Sequence, residues 1–273
     1  MEKLIYLISK DDLINEDQFR ENLINQYYKE VENLVQTLQI NVLDSLVQRA
    51  SLTRVGQEAE GQLPSAPVAD GMICMWIKSV SRRFEIEAVL SKFTKSFHGY
   101  LVTESEPLEN TTLPFSPAKR TPGFDQVAFL MKPSYQDYDD WLYNWQSLHT
   151  QVAIDTQSTC RYIQNVIVRP LTKAAPDYQA IVEEGYPEED AMFDPMIFYD
   201  ANGDQDKMLK NIENTHKLID SKPDLSLLDL TSYLELTQYT APTLLRDTDM
   251  MSMAVGLIVH AEQAEEILQS GEA

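Results

Sequence analysis

One alternation of apolar and polar residues occurs twice in this chain, and that repetition restricts its folds more than any other feature. In the first copy "KLIYLIS" (3–9) is a short apolar run with the character of a buried strand. Phe19, Leu23, Tyr27, Val31, Leu34 and Leu38 then recur every four or three residues, the spacing of one helix face. "INVLDSLVQRA" (40–50) is the next strand expected, followed by a loop holding Gly56, Gly61, Pro64 and Pro67. "GMICMWIK" (71–78) returns to strand, "RRFEIEAVLSKFTKSF" (82–97) to helix, and "GYLVTES" (99–105) closes the unit. After a stretch broken by Pro114, Pro117 and Pro122 the order restarts. "DQVAFLMK" (125–132) is a strand, Trp141, Trp145, Leu148 and Val152 form a helical stripe, and "TCRYIQNVIVRP" (159–170) and "YQAIVEEGYPE" (178–188) are strands. "GDQDKMLKNIENTHKLID" (203–220) is the second helix and "LDLTSYLELTQY" (228–239) the last strand. Leu4 to Phe19 spans 15 residues and Val127 to Trp141 spans 14, which suggests a duplication.

Strand-helix-strand-strand-helix-strand is the order of a ferredoxin-like unit. The expected fold is therefore α+β: a first domain over 1–110, a second over 122–240, and a tail over 241–273. A four-stranded antiparallel sheet with helices on one face leaves its other face bare, so each sheet needs a partner. Two such sheets in one chain cover each other, predicting tandem ferredoxin-like (β-α-β-β-α-β) domains packed sheet to sheet as an intrachain dimeric α+β barrel. In the tail, "MMSMAVGLIV" (250–259) and the acid-rich segment after it predict a short helix packed on the domains or on another subunit.

Composition then removes whole classes of function. With 43 acids against 22 bases and a formal net charge of −21, the chain repels a phosphate backbone, and no compact basic stripe offsets this, so no nucleic-acid partner is expected. No stretch approaches the 18 or more apolar residues of a membrane span, and no membrane partner is expected. Cys74 and Cys160 both sit in apolar runs, as buried thiols do in a reducing compartment, which points to the cytoplasm. His98, His216 and His260 stand far apart with no ligand spacing, so no metal is expected. "DANGDQD" (200–206) departs from a calcium loop, with Gly203 at the fourth place and Asn211 at the twelfth. No Gly-rich phosphate loop or Gly-x-Ser-x-Gly elbow occurs.

The aromatic-x3-Trp-x3-His pattern of Trp141, Trp145 and His149, followed by Arg161, Tyr162, Ile163, Gln164 and Asn165, resembles the EthD family of the dimeric α+β barrel superfamily. The likeness covers about 125–240 well and 1–108 as a degenerate copy, in which Phe19, Leu23 and Tyr27 align with Trp141, Trp145 and His149. The chain departs from the family at Val166, where a second His often stands. The resemblance implies a small-molecule pocket between helices and sheet. In it His149 and Tyr162 would be the catalytic pair and Trp145, Gln164, Asn165 and Arg161 the ligand-contacting set. It implies a small apolar or aromatic partner, requires no cofactor, and leaves a homodimer open.

The residues themselves allow two accounts of His149. On a helical wheel it lies about 60° from the centre of the Trp141–Trp145–Leu148–Val152 stripe, at the edge of the buried face. A pocket-lining base belongs there, and so does an imidazole that only completes the packing. Strand alternation puts Tyr162 and Gln164 on one face and Arg161 and Asn165 on the other. One reading is an enzyme doing cyclase-, dehydratase- or isomerase-like acid–base chemistry; the other is a non-catalytic metabolite-binding or self-assembling module of the same fold.

Overall fold

The computed structural model describes residues 1–43, 69–113, 120–132, 136–192, 194–220 and 251–255. Strand β1 (Glu2–Ser9) leads to helix α1 (Glu16–Asn22), whose start is closed by a reciprocal capping box between Asn15 and Gln18. A π turn, Leu23–Tyr27, joins α1 to α2 (Tyr28–Val31). β2 (Thr37–Val42), β3 (Gly71–Ile77), α3 (Arg83–Phe93) and β4 (Ser96–Leu108) complete the first half. The second half begins with β5 (Phe124–Leu130), α4 (Tyr138–Tyr143), a π turn Asn144–His149, and α5 (Thr150–Thr156). β6 (Arg161–Pro170), β7 (Ala180–Tyr186), the one-turn α6 (Pro195–Phe198), α7 (Gln205–Asp220) and β8 (Met251–Val255) follow.

All pairings are antiparallel, in the order β2-β3-β1-β4-β6-β7-β5-β8. The pattern inside the first four strands is the pattern inside the last four. The halves are joined edge to edge, forming one continuous sheet where two separate sheets were expected. β4 makes this join: it is 13 residues long, its start lies along β1, and Tyr100 to Leu108 run on to pair with β6.

The sheet curls until its own face closes on itself. Gln39 on the β2 edge donates to Glu183 on β7 at 2.6 Å, although β3, β1, β4 and β6 stand between them in the sheet. Five strand spacings of a flat sheet would separate them by about 24 Å. The enclosed face carries Ile5, Leu7, Met72, Tyr100, Val127, Phe129 and Ile181 from both halves. At one end it carries ions. Lys3 donates to Glu183 at 3.0 Å and to Glu104, and Arg161 pairs with Asp125 at 3.4 Å and donates to Gln39 at 3.1 Å. Burial pushes the Glu183 carboxyl up, but Lys3 and Arg161 outweigh it and hold the group at about 2. A Cβ on Gly185 would meet Asp125 and Arg161 at 3.0 and 3.1 Å, so a side chain there would crowd the pair.

Three boundaries differ from expectation. The helix expected to reach 97 stops at Phe93, where Thr94 turns to extended backbone, and β4 starts at Ser96. β2 begins at Thr37, earlier than expected. Met251–Val255 is a strand paired with β5, not helix; the free edge of β5 supplies the ladder that settles the choice. The strand expected at 228–239 lies outside the described residues.

Candidate functional site

The outer, helix-covered face of the sheet differs between the halves in one row. Leu4 on β1 pairs with Met75 on β3, and Met75's other neighbour is Leu38 on β2. In the second half Gln126 on β5 pairs with Glu184 on β7, and Glu184's other neighbour is Tyr162 on β6. Leu4 precedes Tyr27 by 23 residues, and Gln126 precedes His149 by the same 23. Both rows are buried: one is wholly apolar, while in the other each residue carries a polar group.

The helices over these rows share a detail. Each contains a π turn, closed by the N–H of Tyr28 on the carbonyl of Leu23 and by the N–H of Thr150 on that of Trp145. Tyr27 and His149 are the last residues of their turns. π turns gather at functional sites, but the occurrence here in both halves means that the side chains make the distinction. Trp141 and Trp145 stack at 5.8 Å between centroids and pack on Ala128, Ala180, Val182 and Tyr162; the two alanines leave the sheet room for two indoles.

His149 is 2% exposed. Burial alone lowers its imidazole to about 4, so the ring is neutral at physiological pH. Its neighbour Thr150 ties the turn to the sheet. The Thr150 hydroxyl donates to the Trp145 carbonyl at 2.9 Å and accepts from Gln164 Nε2 at 2.7 Å, while Gln164 Oε1 accepts from Ser105 at 2.9 Å. Gln164 is thus spent on holding the helix. Tyr162 is fully buried; burial first and Glu184 second push its hydroxyl well above the ordinary range, with Thr150 and Trp145 also adjoining it. It stays protonated at neutral pH, so it can donate its proton in a hydrogen bond and does not act as a base.

Of the expected residues, the structure places His149, Trp145, Tyr162 and Gln164 on the helix side of the second half and puts Arg161 and Asn165 on the enclosed face. Arg161 is engaged with Asp125, Glu106, Glu183 and Gln39, and Asn165 donates to Glu183 at 3.0 Å and to the Ile181 carbonyl at 3.1 Å. They do not share a site with His149. Sequence reading missed Glu184, Tyr186, Gln126 and Gln157. The Tyr186 hydroxyl lies 2.7 Å from Gln157 Oε1 and 3.1 Å from Glu184 Oε2. The available signal was "VEEG": two consecutive carboxylates inside an apolar strand must point to opposite faces, and both are buried.

Cys74 and Cys160 are free thiols. Among the described residues no group of three or more His, Cys, Asp or Glu side chains is placed to hold a metal, and no helix is long and apolar enough to cross a membrane.

No family profile matches the sequence, and no curated protein matches it significantly. Solved structures do match its fold. An anthrone oxidase-like protein superposes with a TM-score of 0.51 at 10% identity, over 95% of this chain and 92% of that one. A chlorite dismutase variant from Candidatus Nitrospira defluvii gives 0.41 at 9% identity, over 98% and 94%. A DypB variant from Rhodococcus jostii RHA1, in complex with heme, gives 0.40 at 10% identity, over 98% and 95%. The class is that of mixed α/β proteins with a curled antiparallel sheet, a fold shared with the anthrone oxidase-like protein.

Proposed function

We propose that the second half is the working half: the seam between its long helix and its sheet binds a small apolar or aromatic compound, on which His149 and Tyr162 perform acid–base chemistry of the isomerase, dehydratase or cyclase kind. The observation that carries this reading is the polar row Gln126–Glu184–Tyr162 set against the apolar row Leu4–Met75–Leu38, with Gln126 and Leu4 each 23 residues before the last residue of the π turn. Burying polar groups costs stability, and a purely structural copy would have no reason to keep three of them in line. In this reading the chain is a tandem of two ferredoxin-like domains of EthD type, one holding β1 to β4 and the other β5 to β8, with only the second retaining a site. The free thiols fit a reducing cytoplasm.

The chemistry follows from the protonation states. A neutral imidazole can take a proton from carbon or oxygen; burial that lowers it to about 4 makes it a weaker base and its imidazolium a stronger acid, so return of the proton to the substrate is the easier half of the transfer. The Tyr162 hydroxyl donates to the oxygen on which negative charge develops. Trp141 and Trp145 supply a flat apolar wall.

The test is solvent exchange of the C1 protons of 2-tetralone in D2O, followed by NMR. The protein should speed exchange above buffer, and His149→Gln should lower that increment at least tenfold while 2-tetralone still binds. Binding without accelerated exchange in the wild type would favour the non-catalytic binding module, which the complete use of Gln164 in holding Thr150 also suits. The absence of both binding and exchange would refute the pocket.

A further inference from the structure

Two buried carboxamides in the second half have unspent donors. Gln126, 5% exposed, and Gln157, 4% exposed, each have an Nε2 with no hydrogen-bond partner among the described residues. Both are linked to one carboxylate, that of Glu184. Gln126 is the cross-strand neighbour of Glu184 on β5, where directly opposed Cβ atoms lie about 5 Å apart. Gln157, just beyond the C-terminus of α5, reaches Glu184 through Tyr186, whose hydroxyl sits between Gln157 Oε1 and Glu184 Oε2. The first-half counterpart of Gln126 by its distance from the helix turn is Leu4, and that of Glu184 in the same row is Met75, so the polar set belongs to the second half alone.

We infer that Gln126, Gln157 and Glu184 determine the specificity of this seam, selecting aromatic ligands that carry a neutral carbonyl oxygen and rejecting aromatic carboxylates. The inference rests on the reading that the second half binds aromatic compounds. Two amide N–H groups present donors to an acceptor oxygen, and a buried donor left unmatched is unfavourable. A ligand carboxylate beside Glu184 would put two carboxyl groups in one buried site, where both cannot be ionised without a large cost. A ketone satisfies the amides without that conflict. Tyr186, fixed between Gln157 and Glu184, keeps the two groups in register and is a positioning residue.

The experiment compares binding of naphthalene, 2-acetonaphthone and 2-naphthoate by calorimetry to the full chain and to three variants. Gln126→Met and Gln157→Met keep side-chain length and remove the amide. Each should weaken 2-acetonaphthone about five- to twentyfold and leave naphthalene within twofold. The wild type should prefer 2-acetonaphthone to 2-naphthoate at least tenfold, and Glu184→Gln should cut that preference at least fivefold by strengthening 2-naphthoate. Thermal unfolding of each variant confirms that it is folded under the conditions of titration. If the ligands bind but the Met variants treat ketone and hydrocarbon as the wild type does, or Glu184→Gln leaves the preference intact, the inference is overturned and the pocket stands. If none of the three ligands binds the wild type, the pocket reading falls, and this inference with it.

Discussion

The two helix–sheet seams of this protein are built to one plan and filled differently. In the first, Tyr27 ends the π turn over Leu4, Met75 and Leu38, and its hydroxyl is buried with no hydrogen-bond partner among the described residues. Phe93 packs edge-on against the Tyr27 ring at 5.8 Å. In the second, His149 ends the same turn, and the sheet row that corresponds to Leu4, Met75 and Leu38 is Gln126, Glu184 and Tyr162. A helix geometry common to both cannot explain the difference, and neither can burial, which is nearly complete in both. What differs is which buried positions hold groups able to exchange protons. Under the proposal made above, the first seam supplies stability and the second holds the chemistry, a division that a duplicated chain can make and a single unit cannot.

The comparison can be broken by exchanging the character of the rows. Met75→Glu places a carboxylate in the apolar first seam and should destabilise the fold by about 4 kcal/mol or more, read from urea unfolding. The reverse change, Glu184→Met, should leave stability within about 1 kcal/mol of wild type or above it, because the Tyr186 hydroxyl still has Gln157 as acceptor. Equal losses in both would mean that the polar row is as structural as the apolar one.

A smaller effect sharpens the role of His149 through pH. Its folded pKa of about 4 is depressed from an ordinary 6.5 by burial, so the folded state binds fewer protons than the unfolded state between those values. The neutral-imidazole contribution is fully present above 6.5 and is lost as pH falls through the window to 4, amounting to about 3 kcal/mol. Asp125 acts oppositely: burial, aided by Glu183 and opposed by Arg161, raises it to about 6, so its contribution is present below 3.8 and lost as pH rises through 6. Stability curves of wild type and His149→Gln should therefore diverge between pH 6.5 and 4. In Asp125→Asn the acid-side loss should become steeper. Parallel wild-type and His149→Gln curves would show that the imidazole is not desolvated.

The smallest effect expected is at Tyr27. Tyr27→Phe removes a buried hydroxyl with no partner among the described residues, so stability should stay the same or rise by up to about 1 kcal/mol, with 2-tetralone exchange untouched. A loss of exchange on this change would assign chemistry to the first seam and undo the division between the halves.

Much of the fold could be read from residue spacing because apolar period is a local signal. The helix stripes of Phe19–Leu23–Tyr27 and Trp141–Trp145–His149, and the opposed faces of Tyr162 and Arg161, all follow from periods of 3.6 and 2. The join between β4 and β6, and the strand at Met251–Val255, depend on which edge each strand meets in space, and no local pattern carries that. For the proposed site, the placement of His149, Trp145 and Tyr162 on the helix side was legible because they sit at the edge or centre of regular stripes. Gln126, Glu184 and Gln157 were not: only the pairing register brings β5, β7 and the end of α5 together. Arg161 and Asn165 belong to the ligand-contacting set only through the family resemblance; strand alternation already sets them on the other face from Tyr162 and Gln164, and there the enclosed carboxylates take both.

The most direct test of the central claim is an NMR pH titration of the four histidine side chains, of which His149 is one, without and with 2-acetonaphthone. The account predicts that the His149 imidazole titrates near 4 in the free protein, that its resonances move on addition of the ketone, and that the other three histidines do not respond to the ligand. A His149 that titrates near 6.5 and is unmoved by the ketone would contradict it.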